Sequence, residues 1–199
     1  MLNLKQGEYL VSLARRAIKN YLATQKLPST SDAPKELQEK LGVFVTLSSF
    51  PEHELRGCIG YPLPVKQLAS AAAECAVSAA VGDPRFPPVN ARELEKLVIE
   101  VSVLTRPTII STNDPRGYLA AIEIGRDGLI VENEYASGLL LPQVPVEWKW
   151  SKEEFLSHTC AKAGLPSDSW KRGEITLKKF QAQIFAEEAP SGKVSEKKI

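Results

Sequence analysis

Cysteine and histidine are scarce in this 199-residue sequence, and their scarcity excludes two kinds of protein. The three cysteines, Cys58, Cys75 and Cys160, stand far apart without a CxxC pair, so no disulfide framework is expected. There are two histidines, and the single compact grouping, His158-x-Cys160, does not have a zinc spacing. The sequence therefore predicts no metal site and favours a reducing, cytoplasmic compartment.

A large net charge and long apolar runs are also missing, since the formal net charge is +1. The 25 Lys and Arg residues are balanced by 24 Asp and Glu residues, which argues against a nucleic-acid-binding protein. The longest apolar runs, such as GLLLP, fall far short of the ~20 residues that span a bilayer. The first residues lack the apolar core and cleavage site of a signal peptide. We therefore predict a protein without a membrane segment.

Hydrophobic periodicity predicts a mixture of helices and strands. Amphipathic helices are expected at residues 4–24 and 65–81, with a third that opens at Ser151 and has Glu154 in a capping box. A short helix is expected within NDPRGYLAAI. Strands are expected in six segments. They are GVFVTL, the glycine-rich LRGCIGY, KLVIEVSVL, GRDGLIVE, SGLLLPQV and EITLKKFQAQIFAEE.

The order of these elements indicates the fold class. There is no regular βαβ rhythm and no nucleotide-type glycine loop, so an α+β fold with a largely antiparallel sheet covered by helices is expected. A doubly wound fold is the alternative. Residues 1–187 are predicted to form the folded domain, whereas 188–199 are polar and without periodicity, and are predicted to be a disordered tail.

The segment LRGCIG, residues 55–60, carries the main candidate for chemistry, Cys58. Gly57 and Gly60 are expected to bend the strand and to let a ligand approach the backbone. Arg56 is close enough in sequence to favour the thiolate, the reactive form of cysteine. A purely structural interpretation stays open, in which a β-bulge places the Cys58 side chain in a gap under the second helix.

The loop DPRFPPV offers a second group of candidate ligand-binding residues, Asp83, Arg85 and Phe86. In the functional interpretation, a proline-stiffened loop presents Arg85 to an anion or a carboxylate. In the structural interpretation, Asp83 ends the helix and pairs with Arg85. Cys75 and Cys160 lie on or beside helical apolar stripes and are interpreted as buried hydrophobic residues.

Seven segments, in their order and spacing, resemble the AMMECR1 domain family over residues 5–186. The segments are GVFVTL, LRGCIG, DPRFPPV, IEVSVL, GRDGLIV, GLLLPQV and FLSHTCAKAGLP. The resemblance implies a protein of a larger and a smaller subdomain, with the LRGCIG motif near a cleft between them. No catalytic residue and no cofactor is implied by it.

The resemblance also implies partners, because prokaryotic members occur with a Memo-like protein and a radical S-adenosylmethionine enzyme. Three functions remain open. The first is an enzyme component or substrate-binding protein of that system, with Cys58 as its candidate catalytic residue. The second is a non-catalytic protein-protein interaction module, and the third is a nucleic-acid-associated regulator. The oligomeric state and the ligand are not indicated by the sequence.

Overall fold

Residues 1–112 and 114–198 are described by the computed structural model, and they form two units. Unit 1 comprises Met1–Leu104 and Gln183–Lys198, and unit 2 comprises Thr105–Ala182. Unit 2 is therefore inserted into the sequence of unit 1. Every strand pairing described within the two units is antiparallel, which confirms the predicted α+β class.

The helices and strands follow one another along the chain in mixed order. The helices are α1 (Leu4–Thr24), α2 (Leu68–Val81), α3 (Ala91–Leu94), α4 (Pro115–Ala121), α5 (Gln143–Glu147), α6 (Lys152–Lys162) and α7 (Ser169–Arg172), with a 3-10 helix at Lys35–Gln38. The strands are β1 (Gly42–Ser49), β2 (Leu55–Tyr61), β3 (Leu97–Leu104), β4 (Thr108–Ile109), β5 (Asp127–Glu132), β6 (Ser137–Leu140), β7 (Thr176–Glu187) and β8 (Val194–Lys197).

Unit 1 is built on a sheet in the order β2-β1-β3-β7, and β8 pairs with the end of β7. The apolar stripe of α1 and the alanines of α2 bury one face of this sheet in a single core. Asn3 caps α1, since its side chain accepts the backbone N–H of Gln6, and the Gln6 side chain caps Asn3 in return. β1 and β2, both predicted as strands, pair as an antiparallel hairpin.

The small side chains of α2 let its backbone lie directly against β2. A Cβ atom added to Gly57 would stand 2.1 Å from the backbone oxygen of Ala79. No carbon atom fits at that distance from an oxygen. Position 57 of β2 therefore needs a glycine, because the α2 backbone is so close. Neither Gly57 nor Gly60 has a positive φ angle, and β2 continues through both. Close approach of α2 is therefore the physical reason for Gly57, and the irregularity of β2 is a β-bulge between Leu55 and Gly57 rather than a turn at either glycine.

A buried ion pair joins α1, the first helix of unit 1, to the end of β7. The Arg15 side chain donates from Nε and Nη2 to the two carboxylate oxygens of Glu187, at 2.6 and 2.5 Å. It also donates to the backbone oxygens of Leu94 and Leu97, and Glu187 accepts the N–H of Ile99. The pair thereby fixes α1, β3 and β7 together.

Unit 2 has its own sheet and core. β5 pairs with β6 and with β7, and β4 pairs with β7. Side chains of α4, α6, α7, β5 and β7 make a separate apolar cluster that includes Phe155 of α6 and Trp170 of α7. The predicted short helix begins at Pro115 with Asp114 as its N-cap, and α6 has the predicted Ser151–Glu154 capping box. Asn113 lies outside the described residues.

Three sequence-based boundaries are wrong. Residues 194–197 form β8 against β7 rather than a disordered tail, because Val194 packs on the core and the polar residues pair through their backbones. The helix expected from residue 65 begins at Leu68, and Val65 is exposed. The Pro-Gln-Val segment expected in a strand forms α5 instead, since Pro142 precedes a helical turn.

Candidate functional site

Cys58 lies in β2, directly opposite Thr46 of β1, and Thr46 lies opposite Glu100 of β3. Since Gly57 faces α2, strand alternation places the Cys58 side chain on the opposite face of the sheet. The thiol therefore does not fill a gap under α2. The Thr46 hydroxyl donates to Cys58 Sγ at 3.3 Å.

The surroundings of Cys58 oppose ionisation. Burial raises the pKa of the Cys58 thiol above its ordinary value, and the Thr46 hydrogen bond and the charge of Arg85 lower it by smaller amounts. The carboxylates of Asp83 and Glu100 add to the rise in pKa. At neutral pH, Cys58 is thus a half-buried thiol rather than a thiolate.

Arg56 does not have the role that its sequence position indicates. It is the extra residue of a β-bulge, because Leu47 pairs with Gly57 and the next residue of β1 pairs with Leu55. Its guanidinium donates to Glu93 of α3 at 2.5 Å and to the backbone oxygen of Pro87 at 2.8 Å. The prediction that Arg56 promotes a Cys58 thiolate is wrong, since the bulge turns Arg56 toward Glu93.

Asp83 binds the backbone of Cys58. Its Oδ2 accepts the Cys58 N–H at 2.9 Å, and its side chain is 2% exposed. The Arg85 guanidinium, followed by hydrogen bonds from two backbone N–H groups, holds the pKa of Asp83 well below its usual range against the effect of burial. Asp83 is therefore a fixed, ionised anchor within unit 1.

The Arg85 guanidinium is held by Asp83, but not all of its nitrogens donate hydrogen bonds. Its Nε donates to Asp83 Oδ1 at 2.9 Å, and its Nη2 donates to Asp83 Oδ2 at 2.7 Å and to the Cys58 backbone oxygen at 3.3 Å. Among residues 1–112 and 114–198, no hydrogen bond of Arg85 Nη1 is found. The side chain is 54% exposed, so this nitrogen can bind an incoming anion.

Together, Asp83 and Arg85 act as a substitute strand at the edge of β2. The Cys58 N–H and C=O both point away from β1, and the carboxylate and the guanidinium satisfy one each. Such a cover prevents unwanted strand pairing at an exposed edge. The predicted Asp83–Arg85 pair is thus present, and it has a structural role that the sequence did not indicate.

The Phe86 ring contacts two cations. The Arg56 and Arg85 guanidinium carbons lie 5.7 and 5.6 Å from the centre of its ring. This is the range of a weak cation–π contact. Arg56 Nη1 is buried without a hydrogen-bond partner in the described part of the chain. Phe86 therefore connects Arg56 and Arg85 within unit 1.

The structure brings most of the predicted site residues together on one edge of unit 1. Cys58, Asp83, Arg85 and Phe86 are connected by the contacts above, whereas Gly57 faces α2 and Arg56 faces Glu93. Glu100 lies on the mixed face of β3 near Cys58, whereas Thr46 and Glu93 were not predicted from the sequence. Thr46 could have been found from strand register, but no local pattern indicates Glu93.

The other two cysteines are structural. Cys75 and Cys160 are buried, as predicted, and burial raises the pKa of Cys75 to about 12. His158 is exposed and stacks on Trp150 with ring centres 3.9 Å apart.

Within the described residues, no group of three or more His, Cys, Asp or Glu side chains is placed to hold a metal ion. Nor does that part of the chain contain a helix with the length and apolar character needed to cross a membrane.

Comparison with known proteins places this geometry in a family. The AMMECR1 family model matches residues 11–185. Protein MJ0810 of Methanocaldococcus jannaschii is 51% identical over 199 residues, which cover 100% of this chain and 98% of that protein. Protein MK0488 of Methanopyrus kandleri is 52% identical over 199 residues, covering 100% of this chain and 96% of that protein.

A solved structure agrees with the fold described above. The crystal structure of the uncharacterised protein PH0010 from Pyrococcus horikoshii superposes with a TM-score of 0.93 at 51% sequence identity. The match covers 100% of this chain and 99% of that structure. An identity above half of the positions over full length supports the same fold in both chains.

Proposed function

The chain belongs to the AMMECR1 family, and we propose from its site that it is a ligand-binding component with Cys58, Asp83 and Arg85 at the point of binding. The observation that carries the proposal is the partly exposed Arg85 guanidinium with an unused Nη1. Asp83 fixes this group beside the Cys58 thiol. The ligand class that matches it is an anion of carboxylate or phosphate type.

The state of Cys58 favours binding over thiolate chemistry. A nucleophilic cysteine needs a lowered pKa, but burial raises the pKa of this thiol. As a neutral group, Cys58 can line the site and donate its S–H to a bound oxygen. A catalytic role for Cys58 stays the alternative, and it requires a ligand or partner that brings a further positive charge.

We test anion binding with propionate, followed through the Cys58 amide signal in ¹⁵N–¹H spectra of the full chain. Arg85→Lys should weaken propionate binding at least fivefold, because an ammonium on a flexible stem cannot hold Asp83 and an anion in one plane. Arg92→Lys, an exposed arginine of α3, is the matched control and should bind like the unaltered protein. Equal affinity of the Arg85→Lys protein and the unaltered protein would overturn the proposal.

We further propose that this component works with a Memo-like protein and a radical S-adenosylmethionine enzyme from the same organism. The support is the family membership together with a site that has a binding group but no thiolate. Co-expression followed by size-exclusion chromatography tests a stable complex. Separate elution of the proteins at micromolar concentration would contradict it.

A protein-protein interaction module is the second candidate function. Exposed apolar residues follow β2, where Leu63 and Val65 have 46% and 52% of their surfaces exposed. Neighbouring exposed apolar residues are common in protein-binding surfaces. The kind of ligand distinguishes the two candidate functions. A small anion alone should saturate the site of a ligand-binding component, whereas an interaction module should bind only a partner chain.

A further inference from the structure

The edge of β2 has a second pair of outward-pointing backbone groups at Gly60, which, unlike those of Cys58, make no hydrogen bond within the described residues. Along an antiparallel strand, the N–H and C=O of a residue point to the same side, and the side alternates from residue to residue. Because the Cys58 groups point away from β1, the Gly60 N–H and C=O must do so too. In the described part of the chain, neither Gly60 group has a hydrogen-bond partner.

The two edge positions differ in what they offer a partner. At Cys58, the edge is closed by Asp83 and Arg85. At Gly60, no hydrogen bond closes the edge within the described residues, and the Phe44 ring of β1 occupies the space that a Gly60 side chain would fill. A strand added at Gly60 and running antiparallel to β2 would therefore meet the Asp83–Arg85 pair as it approaches Cys58. A partner chain that continues past this point cannot keep strand geometry. A partner chain that ends before Cys58 can still pair with Gly60.

A terminal carboxylate is the group that fits this end point. Strand residues rise about 3.4 Å each, so the residue after the one opposite Gly60 ends level with the Arg85 side chain. Arg85 Nη1 is unused and exposed, and carboxylate–guanidinium hydrogen bonds are among the strongest available in proteins. Strand addition and capture of a chain end are both established modes of peptide binding.

We propose that the β2 edge binds the C-terminal residues of a partner chain as an added antiparallel strand. The penultimate residue pairs with the Gly60 N–H and C=O, and the terminal carboxylate binds Arg85 Nη1. This inference rests on the proposed anion binding by Arg85 and names its ligand class, a peptide with a free C-terminus. The Asp83–Arg85 pair selects chain ends over internal segments because it closes the edge at Cys58.

The test uses the peptide acetyl-Ala-Val-Ala-Val in three forms, titrated into the ¹⁵N-labelled full chain. The forms are the free acid, the C-terminal amide and the free acid with an N-methyl group on the penultimate residue. The free acid should give saturable shifts of the Gly60 amide signal. The amide and the N-methyl peptide should each bind at least tenfold more weakly, because one loses the carboxylate and the other loses the backbone N–H.

Variants separate side-chain from backbone effects. Arg85→Gln should reduce the affinity for the free acid to that for the amide, and Arg92→Gln should leave the affinity unchanged. If the N-methyl acid and propionate bind as tightly as the free acid, strand addition is overturned while anion binding at Arg85 stands. If the amide binds as tightly as the free acid, the carboxylate contact is overturned. If propionate and the free acid both fail to bind, the proposed function falls as well.

Discussion

Single residues at the site owe their roles to partners that are distant in sequence. Arg56 is two positions from Cys58, yet the bulge gives it to Glu93, 37 residues away. Arg85 lies 27 residues from Cys58 and is the arginine that lowers its pKa. The sequence predicted strand β2 but could not predict which arginine lies near the Cys58 thiol. Because of the one-residue bulge, Arg56 contacts Glu93, and Arg85 is the arginine near Cys58.

The thiol of Cys58 should react first among the three cysteines but slowly at neutral pH. It is half-buried, whereas Cys75 and Cys160 have 1% and 0% of their surfaces exposed. Because its pKa is raised, its labelling rate should increase with pH to a midpoint above that of a free cysteine. Mass-spectrometric labelling rates between pH 7 and 11 measure this. A midpoint below that of free cysteine would contradict the neutral-thiol assignment.

Gly57 should tolerate no side chain. In a Gly57→Ala protein, the new methyl group would overlap the Ala79 backbone oxygen, and α2 would have to move. We expect the free energy of unfolding to fall by about 2–3 kcal/mol in urea titrations. Gly82→Ala is the control, because its new Cβ would stand 3.2 Å from the nearest atom, the Ser78 oxygen. Equal losses in the two proteins would contradict a contact between α2 and Gly57.

At the scale of elements, the sequence predicted what is periodic and missed what is short. α1, β1, β2, β3 and α6 lie close to their predicted positions, because each has an apolar face of several residues. α5 and β8 were missed, since five and four residues are too few to display a period. β8 is held by pairing with β7, a contact that no local pattern displays.

Removing β8 should destabilise unit 1. Deletion of residues 189–199 removes the pairing with β7 and the Val194 side chain that packs on the core. We expect the melting temperature to fall and the free energy of unfolding to decrease by about 1–3 kcal/mol. Lys198→Gln, which changes only an exposed side chain, should leave both quantities unaltered. An unaltered melting temperature after the deletion would restore the disordered-tail hypothesis.

At the scale of the whole molecule, the ion pair between Arg15 and Glu187 joins residues 172 positions apart. Both side chains are almost fully buried, and three backbone groups complete their hydrogen bonds: the oxygens of Leu94 and Leu97 and the N–H of Ile99. A charged pair at such a position specifies how the ends of unit 1 meet. Sequence analysis could not find it, because both residues have many equally charged competitors along the chain.

Loss of one partner should be costly because the other charge stays buried. Glu187→Gln should lower the free energy of unfolding by about 3–5 kcal/mol in urea titrations. The exposed Lys19–Glu95 pair provides a control, and Glu95→Gln should have a much smaller effect. If the two substitutions destabilise the protein equally, the buried pair does not hold unit 1 together.

The division of unit 1 into two separate stretches has a consequence for how the protein is made. A nascent chain leaves the ribosome from its N-terminus, and domains generally fold as they emerge. Residues 105–182 are contiguous, and the Thr105 N–H already reaches the Gln181 oxygen at 2.9 Å, so unit 2 can close before synthesis ends. Unit 1 must wait for Glu187 and β8, with Arg15 uncompensated until then. The first stretch of unit 1 is therefore translated before unit 2 but is completed only after it, once Glu187 and β8 have been synthesised.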